Sequence, residues 1–355
     1  MKKIMIHSVL PFLGTLLFFA SLALAENKLN LPTVVIITTG GTIAEKTDPH
    51  TGGAVPALSG NDLIDAIPPL SKVAHIKVIN FSNIDSSQMT PQIWANLSIA
   101  VDKALEDPEV KGAVVTHGTD TMAEGAYFLD LTLKSRKPVV FVGAMRDASD
   151  ESPDGPANIL NAVIQTCSDE AKDWGVTVTL NQYINSARNV RKTQTSNVQT
   201  FNSGEKGYLG YIAMGKVTKF NDRPQWQKFP LPDKLPDVVI VSDYAGSDGR
   251  LIRYAVTSGA KGLVVEAVGA GNVNKDMFKA IEYALDKGIP VVITTSVYNG
   301  SVMPVYADQG GGALLVKRGS ILGGDLTTAK ARLLLMLALP YVKNDHKKLT
   351  EIFNR

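Results

Sequence analysis

Cysteine is nearly absent: Cys167 is the only one in 355 residues, which excludes an internal disulfide framework. Stability must then come from a large core, and 45% hydrophobic residues over this length suggest two domains of ordinary size. Cys167 itself lies in Asn158–Asp169, where apolar residues recur at helical spacing, so it reads as a core residue rather than a nucleophile. Charge of either sign is also missing in excess. The formal charge of +2 is carried by Lys2 and Lys3, and residues 26–355 hold 34 basic and 34 acidic groups with no basic run. That balance gives no electrostatic footprint for nucleic acid or anionic lipid and points to a small-molecule partner. Internal repeats and low-complexity tracts are absent as well.

A long apolar stretch occurs once, from Val9 to Leu24, after Lys2 and Lys3 and ending in Ala23-Leu24-Ala25 before Glu26. Pro11 and Gly14 interrupt it and small residues close it, so residues 1–25 read as an export signal cleaved after Ala25 rather than a membrane anchor. The mature protein is expected to be soluble and periplasmic, with no membrane association after cleavage.

From Val34 to about Phe220, short apolar runs alternate with helical stretches: Val34–Ile37, Val73–Phe81, Pro91–Glu106, Val110–Val115, Ala123–Leu133, Pro138–Val142, Ala157–Ala171 and Val176–Leu180. This order predicts an α/β sheet domain over 31–220, with parallel strands where a helix supplies the crossover. Residues 221–237 are rich in proline and charge and read as a linker. Alternation resumes with Val238–Val241, Leu251–Ser258, Gly262–Val265, Asp276–Lys287, Pro290–Thr294 and Thr327–Leu339, a smaller α/β domain over 238–355. Pro49–Gly53 and Gly310–Gly312 are too short for linkers and read either as mobile site loops or as surface turns.

Two threonine-glycine turns follow buried-strand patterns: Thr39-Gly40-Gly41-Thr42 after Val34–Ile37, and His117-Gly118-Thr119-Asp120-Thr121 after Val114-Val115. Ligands of open α/β sheets bind beyond the carboxyl ends of the strands, so the two turns suggest two halves of one site. A threonine hydroxyl is a weak nucleophile and needs an adjacent base. Thr42 and Thr119 are both candidates. Asp120 could orient a base or grip an ammonium, and Lys192 could serve as base if burial lowered its pKa. Glycines at these turns let backbone N–H groups approach a developing oxyanion. A strand-to-helix turn with no chemistry is the alternative for either motif alone.

Ile36-Ile37-Thr38-Thr39-Gly40-Gly41-Thr42-Ile43-Ala44 and Gly112-Ala113-Val114-Val115-Thr116-His117-Gly118-Thr119-Asp120-Thr121-Met122 resemble the two signatures of bacterial L-asparaginases and glutaminase-asparaginases, in their exported, type II-like branch. The similarity continues through Ala126–Asp130, Gly143–Arg146, Asp154–Pro156 and Glu351–Asn354. It implies a larger N-terminal sheet domain carrying the active site and a smaller, flavodoxin-like parallel-sheet domain. It also implies hydrolysis of the side-chain amide of L-asparagine, and potentially of L-glutamine, through a threonine acyl-enzyme, with no metal or organic cofactor. Carried over by motif, Thr42 is the nucleophile. Thr119, Lys192 and Asp120 form the second catalytic group, in which Asp120 binds the α-ammonium. Ser86 holds the α-carboxylate, with Ser87 beside it where the exported branch often has glutamine or glutamate. Asn272, in Val268-Gly269-Ala270-Gly271-Asn272, reaches the substrate of a neighbouring subunit in a homotetramer.

The match breaks at one point. The exported branch places an activating tyrosine on the loop after the first motif and a supporting glutamate in a neighbour's C-terminal domain; here those positions hold Gly53 and a residue near Ala307. Three possibilities stay open: Tyr298 or Tyr306 reaches in, with Asp308; Thr119 is the nucleophile, served by Lys192; or activity is low. A periplasmic amino-acid binding protein is the alternative of another class, since it too has two α/β lobes and a signal. It would have no use for two threonines at strand ends.

Overall fold

A computed structural model describes residues 31–224, 227–343 and 345–354, so the expected signal over 1–25 lies outside the described residues. The chain runs through β1 (Thr33–Thr38), β2 (Glu45–Thr47), β3 (Ala54–Pro56), α1 (Gly60–Asp65), β4 (His75–Asn80), α2 (Pro91–Leu105), β5 (Val110–Thr116), α3 (Met122–Thr132) and β6 (Val139–Val142). It continues with α4 (Gly155–Cys167), β7 (Val176–Leu180), β8 (Tyr183–Ser186), β9 (Arg191–Lys192), β10 (Phe201–Asn202), β11 (Gly210–Ala213) and β12 (Lys216–Lys219). Eight strands form one sheet in the order β12-β11-β8-β7-β6-β5-β1-β4. Its β4-β1-β5-β6-β7 half is parallel and its β7-β8-β11-β12 half antiparallel.

Apart from the largely exposed edge strand β4, the parallel half is buried on both faces, as the apolar runs of β1, β5 and β6 predict. Successive side chains of a strand point to opposite faces, and β1 shows the consequence. Val35 and Ile37 join Trp94 and Leu97 of α2 and Phe128 of α3, whereas Val34 and Ile36 join Ile159, Ala162 and Val163 of α4. Thr90 caps α2, its hydroxyl accepting from Ile93 N at 3.2 Å, with Pro91 supplying a first helical residue that needs no partner for its nitrogen.

The second sheet follows: β13 (Val238–Ser242), α5 (Arg250–Thr257), β14 (Gly262–Ala267), α6 (Lys275–Asp286), β15 (Val291–Thr295), α7 (Gly312–Lys317), β16 (Ile321–Leu322), α8 (Thr328–Val342) and α9 (His346–Phe353). Its four strands are parallel and lie in chain order. One face packs on α5 and α6. The other is covered by α8, whose Leu334, Leu335 and Leu339 share a core with Val264, Val292 and, across the molecule, Phe128 and Leu131 of α3. One apolar core therefore connects both sheets.

Two loop expectations take definite form. Pro49–Gly53 sits at the tip of the antiparallel β2–β3 hairpin, closed by Asp48 N to Gly53 O at 2.8 Å. Gly310–Gly312 leads into α7. The proline-rich stretch beyond β12 is tied to α3: Arg223 pairs with Asp130 at 3.1 Å, Lys228 Nζ donates to Asp130 O at 2.6 Å, and Phe229 N to Leu131 O at 2.8 Å.

Candidate active site

β1 and β5 are adjacent and parallel with Thr38 opposite Thr116, so both threonine-glycine turns leave the same carboxyl edge of the sheet. Thr116 O accepts from both Thr39 N (3.1 Å) and Thr39 Oγ1 (2.9 Å), which clips the first turn to the second strand. The turns then touch. Gly41 has φ +84°, and a β-carbon there would lie 2.3 Å from Gly118 Cα. No other residue fits that crossing. Immediately after it, a short 3₁₀ turn over Thr42–Ala44 presents Thr42 half-buried, with Ile43 and Ala44 in the core.

Thr119 is buried on the second turn, and Lys192 reaches it from β9. Lys192 Nζ donates to Thr119 Oγ1 at 2.9 Å and to Asp120 Oδ1 at 2.8 Å. The Asp120 side chain is 66% exposed and the Lys192 side chain 20%, so the carboxylate faces the solvent side and the ammonium the protein side. Two threonines, a lysine and an aspartate thus converge where the strands end.

Ser86 lies beneath the same turn, buried, with its Oγ accepting from Asp120 N at 3.2 Å and its carbonyl from Thr121 Oγ1 at 2.8 Å. Its hydroxyl proton is still available to a ligand. Ser87 is exposed, its hydroxyl accepting from Gln88 Nε2 at 3.4 Å.

His117 anchors the second turn from below. Trp94 Nε1, which can only donate, meets His117 Nε2 at 3.2 Å, so Nδ1 carries the proton and donates to Gly118 O at 2.7 Å. Complete burial lowers the pKa of the imidazole to about 4, and it stays neutral at ordinary pH.

Sequence reasoning missed Glu45. It is buried, and the Thr42 hydroxyl and the Asp85 carboxyl both lie near enough to its carboxyl to act on its titration. Burial first, then the Asp85 carboxyl and the more distant Asp147, raise its pKa to about 7, against a smaller opposing pull from Thr42. The signal was present in the chain: Glu45 follows Thr42 by one 3₁₀ turn, a spacing that stacks the two side chains.

Asn272 does not join this cluster through its contacts in the chain. It pairs with Val268 in a bridge of the C-terminal domain, and its Oδ1 accepts from Gly312 N at 3.3 Å. Tyr298 is engaged by Arg191, whose guanidinium sits 4.8 Å from the ring centre and donates to the Tyr298 carbonyl. The Tyr306 carbonyl accepts from Ala313 N at 2.9 Å, and Asp308 O from Gly311 N at 2.9 Å. The group facing Thr42 is a carboxyl, where sequence reasoning had looked to a tyrosine. Among the described residues no group of three or more His, Cys, Asp or Glu side chains is placed to hold a metal ion. Burial pushes the Cys167 thiol up to about 11, away from nucleophilic chemistry.

Comparison with known proteins gives a consistent picture. The family model described as "Asparaginase, N-terminal" matches residues 33–225, and "Glutaminase/Asparaginase C-terminal domain" matches 237–353. The chain is 39% identical to an L-asparaginase of Bacillus licheniformis, covering 88% of this chain and 97% of that protein. It is 36% identical to L-asparaginase 2 of Escherichia coli, over 92% of this chain and 94% of that protein. A probable periplasmic L-asparaginase of Haemophilus influenzae is 37% identical over 92% and 94% of the two chains. The crystal structure of a probable cytoplasmic L-asparaginase from Campylobacter jejuni superposes with a TM-score of 0.83 at 39% identity, covering 91% of this chain and 99% of the other. On the strength of both domain matches and these full-length relatives, the chain belongs to the asparaginase family.

Proposed function

We propose that the protein hydrolyses the side-chain amide of L-asparagine to L-aspartate and ammonia, with L-glutamine as a second substrate. The observation that carries this reading is the convergence of Lys192 Nζ on Thr119 Oγ1 and Asp120 at the turn that crosses the Thr42 turn. Thr42 Oγ attacks the amide carbon, the C–N bond breaks, and ammonia leaves behind a threonine ester. A water then attacks the ester carbon, releasing aspartate and restoring the hydroxyl. Thr119 and Lys192 position that water and stabilise the charge that develops on it, Asp120 takes the α-ammonium, and Ser86 and Ser87 take the α-carboxylate. None of these steps calls for a metal or organic cofactor.

Asparagine and glutamine differ by one methylene, worth roughly 1–3 kcal/mol of discrimination in a pocket, so both amides belong in the test. Ammonia release from each is measured for the purified parent, Thr42→Ala and Thr119→Ala. Loss of turnover in both variants is expected. Tight binding of asparagine without turnover by the parent would make the protein a binder instead.

We also infer that the mature protein is a homotetramer in which Asn272 completes a neighbour's site, and that residues 1–25 export it to the periplasm. The bonding of Asn272 to Gly312 of its own C-terminal domain, with no bond to the Thr42 cluster among the described residues, supports the first, and the Lys2-Lys3, apolar and Ala23-Leu24-Ala25 order supports the second. Relatives named as periplasmic and as cytoplasmic both exist, so family membership leaves location open. Light scattering tests the assembly, and a stable, active monomer would contradict it. Cell fractionation of the full chain tests export.

A further inference from the structure

Thr42 is followed by a hairpin whose tip, Pro49–Gly53, holds no tyrosine, yet its hydroxyl is not without a partner. Glu45 N donates to Thr42 O, closing the 3₁₀ turn that sets the two side chains one above the other. Glu45 is 7% exposed, and its carboxyl has both the Thr42 hydroxyl and the Asp85 carboxyl nearby. Asp85 in turn immediately precedes Ser86, which is fixed by Asp120 N and Thr121 Oγ1. Ala148 N donates to Glu45 O at 3.1 Å, which brings Asp147 nearby. Neighbouring charges on the hairpin are directed elsewhere: Lys46 acts on Asp62, and Thr47 Oγ1 donates to Asp147 at 3.1 Å. Glu45 is thus a buried carboxyl whose backbone is tied to Thr42 on its own turn and to Ala148, which sets it near the reacting hydroxyl with a second carboxyl close by.

Such a pair resists full ionisation, because the charge on the buried Glu45 must be created beside that of the exposed Asp85 carboxylate. One proton therefore stays on the pair until near neutral pH. A base poised there can take a proton at working pH and still give it back.

We propose that Glu45 is the general base that takes the proton from Thr42 Oγ1 and, as the carboxylic acid, delivers it to the departing ammonia, with Asp85 as a positioning residue that tunes it. The inference rests on Thr42 being the nucleophile for amide hydrolysis. As the Oγ–C bond forms, the hydroxyl proton passes to the Glu45 carboxylate. As the C–N bond breaks, the same proton passes to nitrogen, leaving Glu45 ionised beside the new ester. In the second half, Glu45 is placed to take a proton from the attacking water and return it to Thr42 Oγ1.

The test is the pH profile of ammonia release from asparagine for the parent, E45Q, D85N and T42A, with folding followed by circular dichroism. The parent kcat/KM rises through about pH 7. E45Q lowers kcat roughly 10²- to 10⁴-fold with KM changed only a few-fold, and loses that rise. D85N, which removes a neighbouring charge and hydrogen bond that hold the proton on Glu45, moves the rise to lower pH. If E45Q fails to fold, the D85N shift decides. A variant E45Q with parental kcat and a raised KM would show that the pair grips the substrate ammonium and would overturn the proposal, as would a D85N profile superimposed on the parent's. Activity abolished in T42A but intact in E45Q overturns this inference alone. Activity retained in T42A, or none in the parent, overturns the functional reading beneath it.

Discussion

The ammonium nitrogen of Lys192 stands 2.9 Å from the Thr119 hydroxyl oxygen and 2.8 Å from the Asp120 carboxylate, bridging two consecutive residues of one turn from a separate strand. A cation bound to a hydroxyl oxygen stabilises partial negative charge there, while the carboxylate fixes where the ammonium points. Lys192→Met keeps the stem and removes both contacts. It is expected to lower kcat by about 10²- to 10⁴-fold. Because the two residues act as a unit, adding Thr119→Ala is expected to cost little more, and a double-mutant cycle on kcat/KM checks this. Fully additive losses would mean that the contact has no part in catalysis.

Gly41 and Gly118 cross so closely that side chains are excluded. Gly41→Ala must either push the second turn away, its β-carbon otherwise 2.3 Å from Gly118 Cα, or abandon the +84° φ. The outcome expected is loss of most amide hydrolysis, since misplacement by about 1 Å costs on the order of 10²-fold, with a lowered melting temperature. Parental activity in Gly41→Ala would show that the two turns need not meet for chemistry.

The sequence made the parallel strands plain because burial on both faces demands unbroken apolar runs such as Val34–Ile37 and Val139–Val142. The antiparallel half was harder. Tyr183–Ser186 and Lys216–Lys219 carry polar side chains and owe their strand conformation to hairpin pairing with β7 and β11 across two-residue turns, which no apolar run marks. The same holds within the site. Thr42, Thr119 and Asp120 stand out because strand ends and glycines mark them locally, and Lys192 because of its motif. The nearness of Glu45 to Asp85 joins two segments 40 residues apart, which no local pattern encodes.

Stability should carry a pH signature of Glu45. Its carboxyl ordinarily titrates near 4.5 but at about 7 in the fold, so over that interval the unfolded chain has released a proton that the native state still holds. Native stability therefore falls as pH rises from about 4.5 through about 7, and none of this penalty is present below that window. Glu45→Gln removes it. Calorimetry is expected to show the variant gaining in melting temperature relative to the parent on going from about pH 4.5 to about pH 8. An unchanged difference across that range would mean that Glu45 titrates normally.

Trp94→Phe tests the support beneath the second turn. Phenylalanine fills most of the space but leaves His117 Nε2 buried without its donor, now 3.2 Å away on the indole. A buried acceptor left unpaired costs about 1–3 kcal/mol, in addition to any cavity. Urea unfolding should register a loss of that order. A loss under about 0.5 kcal/mol would indicate that water replaces the indole.

Lys330 connects α8 of the C-terminal domain to the segment that presents Lys192. It lies 1% exposed in α8, and its Nζ donates to Arg188 O at 2.9 Å and Val190 O at 2.5 Å, just before β9. Burial lowers its pKa well below the ordinary value, the neighbouring Arg191 and Arg188 acting in the same direction. Lys330→Met preserves the apolar stem but frees the buried Val190 carbonyl, costing about 1–3 kcal/mol if unpaired, and the part-buried Arg188 carbonyl. Since β9 has only two residues, freeing the backbone just ahead of it should also let the Lys192 ammonium drift from Thr119. The variant is therefore expected to lose melting temperature and kcat together, with KM for asparagine less affected. A drop in melting temperature with kcat intact would show instead that pairing with β10, where Lys192 lies opposite Phe201, suffices to place the lysine.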